Sequence, residues 1–299
     1  MTLHPSKKAS AAVIACAEKG QQLFAAGQAE AALALAGEGL AAEDHVRLWR
    51  LKARLLVFFQ REREASEILQ RVLPNAWLPG FWELAQAGLP LSYALLADTH
   101  KVAYFPVRKC SSTSLHNVMA VLDGRTSKGE EIHESIAQYT LIDRTQQRET
   151  LADYLSVLVV RSPIDRIRSF YHGNIVGRGH LVRDTGGKES FYGLSTRPSY
   201  EEFLDNFHGY RRTFTTVRNH TDPLAAYVGT DTGLFDWVGG MHQTRELIEL
   251  LSARSGIKLP EFRDMQAGGA AEKPASYSAA EQALMEFYQA DYDTFSNWF

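Results

Sequence analysis

Lys109 is followed by Cys110 and then by four hydroxyl side chains in a row, Ser111, Ser112, Thr113 and Ser114. Ahead of them Val102 to Val107 is a β-branched and aromatic run, and behind them Leu115, Val118, Met119 and Leu122 recur at helical spacing. The pattern predicts a buried strand, a short polar loop and a helix. Backbone N–H groups of such a loop converge with the positive end of the helix dipole, to which Lys109 adds a full charge and the hydroxyls add donors. Phosphate or sulfate is the chemistry that fits. The nucleotide loop G-x-x-x-x-G-K-[ST] is absent, because here the lysine precedes the hydroxyl residues and no glycine leads into it. Cys110 has no signature of a cysteine nucleophile around it.

A second anion element follows another strand-like run, Leu155 to Val160. It reads Arg161-Ser-Pro-Ile-Asp-Arg-Ile-Arg-Ser169-Phe-Tyr171. Arg161 at the strand end and Ser169 two helical turns later can face one ligand lying across the strand tips, and Pro163 suits a first helical turn. A guanidinium offers a fork of donors to a dianionic phosphate, which a lysine does not match in geometry.

These two elements carry a family resemblance. The segment Arg108 to Leu115 resembles the 5'-phosphosulfate loop of sulfotransferases, with Arg108 where a proline is usual, and Arg161 to Tyr171 resembles their 3'-phosphate element in every fixed position. The resemblance covers about residues 100 to 299 and implies 3'-phosphoadenosine 5'-phosphosulfate (PAPS) as the sulfuryl donor. It implies that Lys109 stabilises the departing 5'-phosphate, with Cys110, Ser111, Ser112, Thr113 and Ser114 around it, and that Arg161 and Ser169 hold the 3'-phosphate. Glu131-Ile-His133 loosely resembles the region that supplies the general base, with either residue in that role. Arg218-Asn-His220-Thr-Asp-Pro resembles a segment in which a His followed by a Pro-containing turn sits near the cofactor. A late loop with Lys273 and Tyr277 resembles one that closes over the nucleotide, and Tyr288-x-x-Asp-Tyr-x-x-Phe295 resembles the terminal helix. The implied function is sulfuryl transfer to a hydroxyl or amine of a glycan or related metabolite. The alternative is a catalytically inactive nucleotide-binding or scaffold protein working through its helical repeats.

The elements that position these residues are an α/β fold, a mostly parallel sheet with helices on both faces, with the ligand at the carboxyl ends of the strands 102–107 and 155–160. Residues 6 to about 73 read as helical, and an offset of 34 pairs Phe24 with Phe58, Glu30 with Glu64, Ala31 with Ala65 and Leu35 with Leu69. That is tetratricopeptide spacing, in two units where an independent solenoid needs about three. The expected division is a helical region, 1–95, that packs on the main body or docks a partner protein, and an α/β domain, 96–299. Gly173 to Pro198 has neither regular period and is expected to be a long surface loop whose Arg178, His180, Arg183 and Arg197 meet the acceptor, together with His220. Phe214 to Val217 is expected to be a short strand, Gly233 to Val238 another strand, and Thr244 to Ser255 an amphipathic helix.

The whole chain, 299 residues with 45% apolar and 22% charged, is ordinary for a globular protein, and its net charge of -3 argues against a nucleic-acid coat. The charge is uneven: Arg161 to Arg218 holds ten Lys or Arg against six Asp or Glu. Cys16 and Cys110 are too few for a disulfide scaffold, and neither a membrane span nor a metal-ligand motif is evident. A cytoplasmic location is expected.

Overall fold

A computed structural model of the chain describes residues 8–72, 80–124, 139–260 and 276–299. The chain divides into two compact units that interleave in sequence: one takes residues 90–173 and 223–299, the other 3–89 and 174–222.

The first unit is built on a five-stranded sheet whose strands lie in the order 140–143, 91–97, 102–104, 155–160 and 237–240. Its strands are β1 (Leu91–Ala97), β2 (Val102–Tyr104), β3 (Thr140–Asp143), β4 (Leu155–Val160) and β7 (Trp237–Gly240). β1 runs antiparallel to both neighbours, β2 and β3, while β2 with β4 and β4 with β7 are parallel. Four of the five strands therefore share one direction and β1 alone is reversed. A parallel strand is covered on both faces, and its residues show it. Val102, Ala103, Val157, Leu158 and Val160 are completely buried, as is Phe105 just past β2. Helices surround the sheet. Among them, Ser112–Leu122 buries the Leu115, Val118, Met119 and Leu122 stripe read from the sequence, and Thr244–Ser255 buries Leu247, Ile248 and Leu251. Near the chain end, Tyr288 and Phe295 are core residues, and between them Asp291 accepts from the backbone N–H groups of Leu224 and Ala225 at 2.7 and 2.8 Å. The aspartate of the terminal pattern is thus a cap for the helix Leu224–Val228.

The second unit begins with α1 (Ala11–Ala25), α2 (Ala29–Ala42), α3 (Val46–Phe58) and α4 (Glu62–Val72). Each packs on the next, and α1 also meets α3. Ser10 caps α1 through its hydroxyl, and Gly27 takes the left-handed conformation that turns the chain into α2. The repeat positions Phe24 and Phe58 meet edge to face, with ring centroids 5.2 Å apart.

Residues 174–222 belong with these helices, although the sequence placed them with the α/β portion. They are not one loop. They form a short helix, His180–Asp184, a hairpin of β5 (Ser190–Phe191) and β6 (Leu194–Ser195), and three helices, Tyr200–Asp205, Phe207–Thr213 and Thr215–Thr221. At the hairpin tip both Tyr192 and Gly193 have positive φ, 50° and 80°, as a tight two-residue turn requires. Tyr192 is held there by Phe24 and Phe58, at centroid distances of 5.1 and 4.4 Å, and its hydroxyl donates to the Phe24 carbonyl at 2.9 Å. The stretch without periodicity was short elements fixed by tertiary contacts, which a periodicity reading cannot see. Phe214 to Val217 is likewise not a strand. Phe214 is a buried junction between two helices, and packing overrides the β preference of its Thr-rich surroundings.

The other tie in this unit is ionic. Arg211, 3% exposed, donates to Glu83 at 2.5 Å and to Asp222 at 3.1 Å, while Arg218 reaches Glu83 at 3.1 Å and Glu62 at 2.5 Å. Residue 95, where the sequence suggested a boundary, lies inside β1; the units part at Pro90.

Candidate functional site

Three parallel strands deliver their carboxyl ends to one edge of the sheet, and the candidate residues follow them. β2 leads through Phe105-Pro106-Val107-Arg108 to Lys109, β4 leads directly to Arg161, and β7 leads to Met241. β2 and β4 are hydrogen-bonded neighbours, with Tyr104 opposite Val157, so the loop at Lys109 and the arginine at 161 leave adjacent strands. The Ser111 hydroxyl touches the Met241 sulfur at 3.3 Å and ties in the third strand.

The loop has the geometry of an anion cradle. Lys109 and Ser111 both adopt positive φ, 65° and 53°, on either side of Cys110. A left-handed residue on each side of Cys110 bends the loop tightly, and the helix Ser112–Leu122 starts at that point with its unsatisfied N–H groups. Ser111 is the N-cap residue but makes no side-chain cap bond. Lys109, Ser111, Thr113 and Ser114 are partly exposed, whereas Ser112 is 9% exposed and Cys110 is completely buried. Burial pushes the Cys110 thiol up to about 11, against the opposing pull of the Arg166 and Arg161 guanidinium groups. Cys110 is therefore no nucleophile, as its surroundings in sequence suggested, and its own N–H donates to the Val107 carbonyl at 3.4 Å. A Cβ added at Gly173 would stand 3.8 Å from Lys109 Nζ, so the chain passes close to the lysine at a residue without a side chain.

Pro163 sits in the first turn of the helix Pro163–Phe170, as its type predicts. Six residues of this helix are buried, and Arg168 and Ser169 are the partly open ones. Arg161 is partly exposed at the strand end. The two other arginines of the element are occupied inside the protein. Arg166 donates to the Arg108 carbonyl at 3.1 Å. Arg168 forms a bidentate pair with Glu281, both bonds 2.7 Å, and lies over the Tyr277 ring at 5.5 Å. Glu281 is 2% exposed and also accepts from the Ser278 N–H at 2.9 Å.

The structure thus brings Lys109, Cys110, Ser111, Ser112, Thr113 and Ser114 into one loop and sets Arg161 and Ser169 on the neighbouring strand and helix. Glu131, His133 and Lys273 lie outside the described residues. Arg178 and His220 belong to the second unit: Arg178 is exposed, and His220 is partly buried with Nδ1 2.8 Å from the Thr216 carbonyl. Sequence reasoning missed Arg166, Met241 and the Arg168–Glu281 pair. The fixed second arginine of the 3'-phosphate element was a signal for the first, but a pair 113 residues apart in sequence leaves none.

No solved structure matches the chain. Among characterised proteins, carbohydrate sulfotransferase 10 of Xenopus laevis is 24% identical over 123 residues, which cover 38% of this chain and 35% of that protein. The chain thus matches about a third of the relative's length. The match to a carbohydrate sulfotransferase points away from the cytoplasmic location expected from the sequence, and that expectation is withdrawn. Among the described residues no helix is long and apolar enough to cross a membrane. Residues 92–296, most of the chain, match the sulfotransferase family, which uses a sulfate donor. That span takes in the strand-loop-helix around Lys109 and the element from Arg161 to Tyr171, and the chain belongs to the sulfotransferase family.

Proposed function

We propose that the chain is a PAPS-dependent sulfotransferase whose acceptor is a hydroxyl or amine of a glycan or related metabolite. The observation that carries the reading is the pairing of β2 with β4, which sets a lysine-bearing anion loop beside an arginine that leads a buried helix. The residues fit a nucleotide bearing two phosphates: the tightly bent loop at Lys109 and Ser111 suits one, and partly open Arg161 and Ser169 suit the other. Lys109 would stabilise the negative charge that grows on the 5'-phosphate as its bond to sulfur breaks. Arg161 and Ser169, at the far phosphate, would orient the donor so that sulfur meets the acceptor in line. The acceptor atom bonds to sulfur, the electron pair of the broken S–O bond stays with 3'-phosphoadenosine 5'-phosphate, and the acceptor proton passes to Glu131 or His133. Arg178 and His220 are the proposed acceptor contacts, and a glycan acceptor agrees with the carbohydrate sulfotransferase to which the chain is similar.

The inactive-scaffold reading finds less support. Its tetratricopeptide-like helices use Phe24, Phe58 and α3 to hold residues 174–222 of their own chain. Calorimetric titration with 3'-phosphoadenosine 5'-phosphate, ADP and ATP tests the proposal. The 3'-phosphorylated nucleotide should bind clearly tighter than ADP, and Arg161→Ala should remove about 1.5–3 kcal/mol, the worth of a charged hydrogen bond. Equal affinities for all three nucleotides would sink it.

A further inference from the structure

Arg166 is the second arginine of the element that follows β4. It is 1% exposed, and on its helix Ile164, Asp165 and Ile167 are buried with it. A buried guanidinium is expensive unless its position does something. Here Nε donates at 3.1 Å to the carbonyl of Arg108, the residue immediately before Lys109. On the other side of Lys109, Cys110 is completely buried, and the Arg166 and Arg161 guanidinium groups oppose the rise that burial gives its thiol. The residue before Lys109 is therefore held by the element beginning at Arg161. Lys109 itself holds a φ of 65°, a left-handed conformation that is costly for a residue with a Cβ and persists only where the surroundings over-determine it.

We infer that Arg166 is a positioning residue: by holding the Arg108 carbonyl it fixes the left-handed turn at Lys109, so that the helix carrying Ser169 sets the aim of the 5'-phosphate loop. The inference rests on the nucleotide reading proposed above. It makes the two phosphate sites one piece, so a donor seated by its 3'-phosphate finds the loop already in place. Geometry explains the residue type, since a planar guanidinium can direct Nε at one carbonyl while its remaining N–H groups stay in a fixed plane, which a lysine ammonium cannot do.

The test separates the two phosphates. Wild type, Arg166→Lys and Arg166→Met are titrated with 3'-phosphoadenosine 5'-phosphate, adenosine 3'-monophosphate and adenosine 5'-monophosphate. The affinity ratio of the bisphosphate over the 3'-monophosphate reports the 5'-phosphate site. The ratio over the 5'-monophosphate reports the 3'-phosphate site. In Arg166→Lys, which keeps the charge and loses the planar fork, the first ratio should fall about tenfold, as loss of one charged hydrogen bond implies, while the second stays within about twofold. Arg166→Met should repeat the pattern; if it does not fold, the lysine variant decides. A purely structural role would lower the melting temperature and leave both ratios at their wild-type values, and that result overturns the inference, as does a fall of both ratios together. Failure of the wild type to prefer the bisphosphate over either monophosphate overturns the nucleotide reading, and the inference with it.

Discussion

Replacement of Asp222 by Asn should change how stability depends on pH, and the ion cluster of the second unit fixes the sign. Two guanidinium groups, Arg211 and Arg218, face three carboxylates, Glu62, Glu83 and Asp222. With all five ionised the cluster carries one surplus negative charge, and the group least able to carry it is Asp222, which is fully buried. Burial pushes Asp222 up to about 7 against the pull of Arg211, with Glu83 adding to the rise, while Arg211 and Arg218 hold Glu83 below its ordinary value despite its own burial. The two carboxyls titrate as a pair. For Asp222 the folded value lies above the unfolded one, so its contribution is intact below about pH 4 and lost as pH rises through about 7. Within that window the folded state holds one more proton than the unfolded chain, and stability falls by about 1.4 kcal/mol per pH unit. About three units give roughly 4 kcal/mol as an upper bound, since Glu83 moves in the opposite sense and offsets part of it.

Asn has the shape of the protonated acid and cannot ionise. The difference in unfolding free energy, Asp222→Asn minus wild type, should therefore grow by about 1 kcal/mol per pH unit from pH 5 to 7 and level off above. Urea denaturation at pH 5, 6, 7 and 8 measures it. His208, held below its ordinary value by burial and by Arg211 and Arg212, loses stability as pH falls, and the subtraction removes that background. Parallel curves, within about 0.5 kcal/mol across the range, would refute the assignment of the shared proton to Asp222.

Other perturbations have equally definite outcomes. Glu281→Ala removes the bidentate partner of Arg168, leaving it the longer 3.5 Å contact to buried Asp165, and should destabilise the protein by about 3 kcal/mol, read from chemical denaturation. Lys109→Ala should lower single-turnover sulfuryl transfer by about 10²-fold to 10³-fold while 3'-phosphoadenosine 5'-phosphate still binds by calorimetry. Tyr192→Ala removes the ring seated on Phe24 and Phe58 and should cost about 2 kcal/mol in the same denaturation assay. In the native protein, a thiol reagent should modify partly exposed Cys16 within minutes and reach buried Cys110 only on unfolding, with mass spectrometry reporting which residue is labelled.

The parts legible in the sequence were those whose signal is local. Val102 to Val107 announced a buried strand, of which Val102–Tyr104 forms, Leu155 to Val160 announced another, Pro163 announced a helix start, and the helix Thr244–Ser255 showed its own apolar stripe. β1 was not read, because Leu91-Ser-Tyr-Ala-Leu-Leu-Ala97 follows breaker residues and looks like a connection until β2 and β3 pair with it. The Tyr192–Gly193 turn and the helix Thr215–Thr221 escaped for the same reason: aromatic packing and ion pairs with distant helices hold them. At the site, types and spacing disclosed Lys109, Arg161 and Ser169, whereas Arg166 could be seen to support the loop only once the Arg108 carbonyl was found against it.

The interleaving of the two units also dictates an order of events during synthesis. α1–α4 leave the ribosome long before Tyr192, Arg211 and Arg218 exist, and at ~5–20 residues per second the wait lasts several seconds. β4 in turn lacks its β7 neighbour until residues 174–222 have been made. Neither unit can close on a nascent chain that ends before residue 174, and the first cannot close until nearly all of the chain has emerged. Truncation ahead of residue 174 should thus yield aggregation-prone fragments, with no folded half to recover.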